Sequence, residues 1–198
     1  MEVGYDLFAA IFVVALTPFV VAGFVVFWAV TARDHEELAS CWRSYARKHG
    51  LAFEEPEGDW PNRTAPAIAW TDGGTELRIS AHGREARVRT RLTVRPRSAL
   101  LGTLTMALEE TGDPELVRER PPGFSRRILT DRVRRALLGF RQRDSLALSY
   151  RRGRVAVEWP GGERNDARLD EARRLGVEIA HTVEDQFRAT ATAESVTS

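Results

Sequence analysis

Residues 7–30 carry no charge, and these 24 positions are dominated by Phe, Val, Ala, Leu and Ile. At 1.5 Å per residue such a helix reaches about 36 Å, enough to cross a ~30 Å hydrocarbon core with some tilt. A lone helix satisfies its own backbone hydrogen bonds, which lipid demands. Pro18 falls in the middle, where a membrane helix tolerates it with a kink. Tyr5 and Trp28 stand near the two ends, where amphipathic rings favour the interface. A buried helix of a soluble core seldom runs this long without a charge. A cleaved leader is the nearer rival, with Val30 and Ala32 as small residues before a cut. The leader, however, holds Glu2 and Asp6 and no Lys or Arg, and its apolar run exceeds the usual length of about 7–15 residues. The expectation is a retained transmembrane helix over residues 7–32 that contacts the lipid bilayer.

Six residues with two acids precede the span, and Arg33, Arg43, Arg47 and Lys48 follow it. The positive-inside rule puts residues 1–6 outside and the bulk of the chain in the cytoplasm, beneath the inner (plasma) membrane. Asp34, Glu36 and Glu37 dilute the near flank, but acids count little in that rule. A reduced, unpaired Cys41 fits that compartment, and Asn62-Arg63-Thr64, which matches a glycosylation sequon, would then be inert.

The rest of the chain is charged but balanced. All 29 basic residues and 26 of the 28 acids lie from residue 33 onward. Over the whole chain the net charge is +1, which argues against a dedicated nucleic-acid binder. A 43% hydrophobic content excludes wholesale disorder, and one cysteine excludes a disulfide framework or a Cys-rich zinc site. Lys48 is the sole lysine among the 29 basic residues, a bias that points to a GC-rich, bacterial genome.

The hydropathy pattern from residue 33 predicts one α+β domain over 33–188. Asp34 reads as the N-cap of a second helix with Glu37 at the capping-box position, the alternative being a helix that continues from the span with only a slight break. Leu38, Cys41, Trp42, Tyr45 and Ala46 form its apolar stripe and Gly50 ends it. A short strand at 51–53 leads to a Pro- and Gly-rich loop over 55–65. Residues 67–70 and 77–79 read as a hairpin around Gly73 and Gly74. A long alternating strand follows, with Val88, Thr90, Leu92 and Val94 on one face and Arg87, Arg89, Arg91 and Arg95 on the other. Residues 100–108 fit strand or helix, with the hairpin context favouring strand. Residues 110–125, with three prolines and two glycines, read as a connecting loop. Thr130 caps a helix with Val133, Ala136, Leu137 and Phe140 on its apolar face. Leu146, Leu148 and Tyr150, then Val155, Val157 and Trp159, make a second hairpin about Arg152-Gly153. The last helix shows Leu169, Ala172, Gly176, Ile179, Ala180, Val183 and Phe187 on one face, and residues 189–198 read as a disordered tail. Strands in hairpins, not in alternation with helices, predict an antiparallel β-meander or hairpin sheet packed by helices.

No phosphate-binding glycine loop, no nucleophile elbow and no paired metal-ligand spacing is present. Asp34, His35, Glu36 and Glu37 point around a helix and cannot converge on one ion. His82 sits at a turn and His181 beside an apolar helix face, neither with a local triad partner. Cys41 and the domain's tryptophans fit core packing. No catalytic residue, cofactor or metal is therefore expected. The sharpest feature is the arginine face of Arg87, Arg89, Arg91 and Arg95. Its plain explanation is a solvated strand whose charges discourage edge pairing. Its functional explanation is contact with lipid headgroups or another anion.

Trp42-x-x-Tyr45-Ala46 before Gly50-Leu51, and the Leu146-x-Leu148-x-Tyr150…Gly153-x-Val155-x-Val157-x-Trp159 hairpin, give the layout a resemblance. The chain resembles a loose set of uncharacterised bacterial single-pass membrane proteins with a small α+β domain. That resemblance implies the architecture and brings no activity and no site residues. The functional expectation is a membrane-tethered cytoplasmic interaction or scaffold module with a protein partner. The alternative is binding of anionic lipid or a small anion through the arginine face.

Overall fold

The computed structural model describes residues 3–58, 64–83, 88–108, 115–141 and 145–196. They fall into two units, residues 1–37 and 38–198. The chain is α+β, with a long apolar N-terminal helix and one eight-stranded antiparallel sheet.

Helix α1 is Val3–His49. No Gly or Pro occurs between Gly23 and Gly50 to stop it. The helix continues from the apolar span, as one of the two expectations had it, and the supposed N-cap Asp34 is an interior helical position. Pro18 also lies inside α1 and removes one backbone donor without ending the helix. Among the described side chains of residues 15–30 the apolar ones are exposed. Phe19 is 75% exposed, Phe24 68% and Val21 55%, and at 100° per residue these three already point in different directions. Thr31 returns its hydroxyl to the Phe27 carbonyl at 2.8 Å, and Arg33 pairs with Glu37 one turn on at 2.9 Å. The helix is long and apolar enough to cross a membrane.

In the second unit the strands are β1 (Ala52–Glu54), β2 (Ala67–Asp72), β3 (Thr75–His82), β4 (Arg89–Arg95), β5 (Thr103–Leu108), β6 (Glu115–Arg120), β7 (Leu146–Arg151) and β8 (Arg154–Pro160). The helices are α2 (Ser125–Ile128), α3 (Asp131–Arg141) and α4 (Asp166–Val196). Spatial strand order is β1-β2-β3-β4-β8-β7-β5-β6. The β2–β3 and β7–β8 turns put two successive residues at positive φ, Gly73 and Gly74 in one and Arg152 and Gly153 in the other. That is the backbone of the tight turn whose twist matches paired strands.

The register aligns Ile68, Ile79, Leu92, Val157, Leu148 and Met106 in one row across six strands, all fully buried. They share one core with Trp42, Val133, Leu137, Phe140, Leu175, Ile179 and Val183 from the helices. Gly176 marks the closest approach of α4, since a Cβ there would stand 2.8 Å from Leu77 and 3.2 Å from Leu92.

Residues 103–108 are strand, which resolves the open alternative. β6 corrects the reading of 110–125 as loop. Its six residues lie between Pro114 and Pro121 and form an edge strand with one partner, where charges are tolerated and hydrophobic alternation is weak. α4 runs through 189–196, the stretch expected as a tail, because Ala189, Ala191 and Ala193 favour helix. An Arg127–Thr190 hydrogen bond ties it to α2.

Candidate functional site

All helices of the second unit pack on one face of the sheet. Among the described residues no helix lies on the other face. Alternation puts small and charged residues there, Ala69, Ala147, Ala156, Ser80, Ser149, Thr93 and Thr105 among Arg and Glu, and none of these is an aromatic or large aliphatic.

The expected arginines are on this face. Arg89 and Arg91 are half-exposed and Arg95 is exposed, whereas Thr90, Leu92 and Val94 are buried on the opposite side. Arg87 lies outside the described residues. Register supplies what the sequence left out, a carboxylate opposite Arg91 and another opposite Arg95. Arg91 sits across from Glu158 and bonds it through Nε at 2.7 Å and Nη2 at 2.6 Å. Arg89, which stands opposite His82 and Pro160, has its Nε 3.7 Å from the same carboxylate. Arg95 pairs with Glu76 at 3.4 Å, and Arg78 with Glu54 at 2.5 Å. The predicted stripe is therefore largely, though not fully, neutralised within the sheet, three arginines sharing two carboxylates.

His82 completes the Glu158 cluster. Its Nε2 lies 3.5 Å from Glu158 Oε2 and 3.4 Å from Arg91 Nη2. Burial pushes its pKa below the usual 6.5, and the Arg91 guanidinium adds to that, against the pull of Glu158. The folded state thus resists protonation of His82, while the unfolded chain takes up that proton near pH 6.5. This contribution to stability is complete above 6.5 and is lost as pH falls. Glu158→Gln removes the one group holding the histidine's pKa up and leaves two guanidiniums unshared. We expect the His82 titration, followed by NMR, to move further down. A thermal melt should show a loss of about 1 kcal/mol, modest because the arginines are partly solvated. An unmoved or raised histidine pKa would refute this arrangement.

A second polar cluster joins the end of α1 to α4. The Tyr45 hydroxyl donates to Asp170 Oδ1 at 2.7 Å, and Arg173 donates to His49 Nδ1 at 3.3 Å. The Tyr45 and His49 rings stack with centroids 4.4 Å apart. Burial, then the bond to Asp170, pushes the Tyr45 phenol up to about 12, so it serves as a donor and not as a base. A hollow of about 480 Å³ nearby is lined by Asp170, Arg173, Arg174, Val177 and Glu178. The residues of this cluster fasten one helix to another. Among the described residues no group of three or more His, Cys, Asp or Glu is placed to hold a metal ion. Cys41 is a half-buried free thiol.

Sequence reasoning missed Glu54, Glu76 and Glu158 as partners, and it missed the arginines that β6, β7 and β8 bring to the same face. The signal for Arg151 and Arg154 was present, since they flank the Arg152-Gly153 turn, but nothing local says that β8 lies beside β4. The chain matches no protein-family model, no curated protein and no solved structure, so its function rests on this geometry.

Proposed function

We propose that the chain is a single-pass membrane-anchored interaction module. In this reading α1 crosses the plasma membrane with residues 1–6 outside, and the α+β domain stands in the cytoplasm and recruits a protein partner. The observation that carries it is a large sheet covered by helices on one face only, in a chain that also bears one long apolar helix. The outward-facing Phe and Val side chains of α1 support insertion, because water would meet an apolar surface all around the rod. Arg33, Arg43, Arg47 and Lys48 against Glu2 and Asp6 support the orientation. The binding of anionic lipid or a small anion through Arg89, Arg91 and Arg95 is a weaker reading, because three arginines there face two carboxylates.

The test is topology read in cells. A fluorescent protein fused after Ser198 should fluoresce, and alkaline phosphatase at the same place should be inactive. The protein should resist carbonate extraction. Active phosphatase would reverse the orientation, and release by carbonate would remove the anchor.

A further inference from the structure

Resting on the reading of the chain as an interaction module, we infer that the partner engages one end of the bare sheet face, as an acidic polypeptide segment with an apolar residue that packs on Leu101. In the β7–β8 hairpin Arg151 stands directly opposite Arg154. In the β5–β6 pair Thr103 stands opposite Arg120 and Thr105 opposite Arg118. Ser149 lies across from Thr105 on the other side of β5. Three hydroxyls thus lie between guanidiniums on both flanks, over four strands about 14 Å broad. Arg118, Arg120, Arg151 and Arg154 are all exposed, and among the described residues none has a carboxylate partner. Glu119, between two of them in sequence, is used elsewhere. Its carboxylate accepts from the Gly123 and Ser125 backbone N–H groups, both at 2.7 Å.

This concentration of charge is held against local cost. Like charges directly opposite on paired strands repel. Arg152 adopts φ 51, in a turn position that favours Gly or Asn. Elsewhere on the face each described arginine lies within 4 Å of a carboxylate, Arg89 and Arg91 sharing Glu158; here none does. Leu101, two residues before Thr103 and at the same end, is 90% exposed. A carboxylate-bearing partner would match the guanidinium forks, and an apolar residue on it would cover Leu101.

The site also lies apart from the start of the domain. Leu38, the first residue of the domain, sits against Gly162 and Val88, as a Cβ on Gly162 would come 2.9 Å from Leu38. Those residues adjoin the Pro160–Arg89 end of β8 and β4. Arg154 begins β8 at the other end, about 20 Å away. The bare arginines therefore crowd the end of the sheet remote from the chain's point of entry. Base stacking needs exposed aromatic rings, and the aromatics at this end, Phe124 and Tyr150, are buried on the core side.

The experiment uses the full chain in detergent and a fluorescent glutamate-rich peptide with one central leucine, read by anisotropy. We expect saturable binding that weakens about tenfold in Arg151→Gln/Arg154→Gln and in Arg118→Gln/Arg120→Gln. Leu101→Ser should weaken it about threefold, while Arg78→Gln, whose arginine is already paired with Glu54, should bind as the parent does. Melting curves confirm that each variant is folded. Equal binding by all variants overturns the proposal. So does displacement of the peptide by millimolar inorganic phosphate, tighter binding of an oligothymidine, or preferential binding of phosphatidylglycerol vesicles. Failure of the anchor shows in carbonate extraction and not in this titration, so the two are distinguishable.

Discussion

Trp42→Ala should cost the domain about 3–5 kcal/mol, the largest loss expected from any single truncation here. Trp42 is fully buried, and its Nε1–H donates to the Glu163 carbonyl at 2.6 Å. The substitution deletes the ring from the shared core and leaves that carbonyl without its donor. Against a total of about 5–15 kcal/mol this removes a large share of the stability. For a domain of this size it lowers the melting temperature by roughly 10 °C. Trp42→Phe keeps one aromatic ring in the core while it drops the donor and the smaller half of the indole, and it should cost less than Trp42→Ala. A thermal melt of the detergent-solubilised chain, followed by near-ultraviolet circular dichroism, reads both. A Trp42→Ala variant that melts with the parent would mean that residues 38–49 contribute nothing to the domain core.

Phe19→Asp is the second large effect, and it acts on the other unit. Position 19 is near the middle of residues 7–30. An aspartate at the centre of an inserted helix costs about 2.5–3.5 kcal/mol on the insertion scale, and the lost phenylalanine adds a few tenths. The carboxylate has no partner in the surrounding sequence, because no charge lies within ten residues on either side. The inserted fraction should fall several-fold, read as protein released by carbonate. Phe19→Leu, similar in hydropathy, should behave as the parent does. Full membrane retention of the aspartate variant would contradict a span centred there. The domain fold provides an internal control: its melt should be unchanged by either substitution.

Periodicity made much of the architecture legible. The two tight hairpins announced themselves through Gly73-Gly74 and Arg152-Gly153 between alternating runs, and the α3 and α4 stripes match the buried residues except at Phe187, which is exposed, and Leu175, a core residue outside the stripe. The structure bears out an α+β fold with an antiparallel sheet and a long apolar first helix. β6 was hidden because an edge strand rich in Glu and Arg looks like a solvated loop when its single partner is unknown. The supposed cap at Asp34 misled for a related reason: acidic residues suit a helix start, but a helix already under way passes through them unless Gly or Pro intervenes. The site was only half legible. Alternation placed Arg89, Arg91 and Arg95 on one face, yet the Glu158 that reaches Arg89 and Arg91 lies 67 or more residues later in the chain. Cross-strand partnership is a property of register, and register between β4 and β8 is settled by long-range packing.

The place of β8 has a consequence for biosynthesis. It is the last strand to leave the ribosome, yet it is the bridge between β4 and β7. Until residues 154–160 emerge, the first four strands and the β6-β5-β7 group are separate half-sheets with unsatisfied rims, and α4 has not arrived to shield their greasy side. A nascent chain stalled before that point offers proteases and chaperones an unfinished product, because only β8 joins the two halves. Completion of the sheet thus waits on the C-terminal quarter of the polypeptide, and a premature stop before it leaves the halves without their bridge.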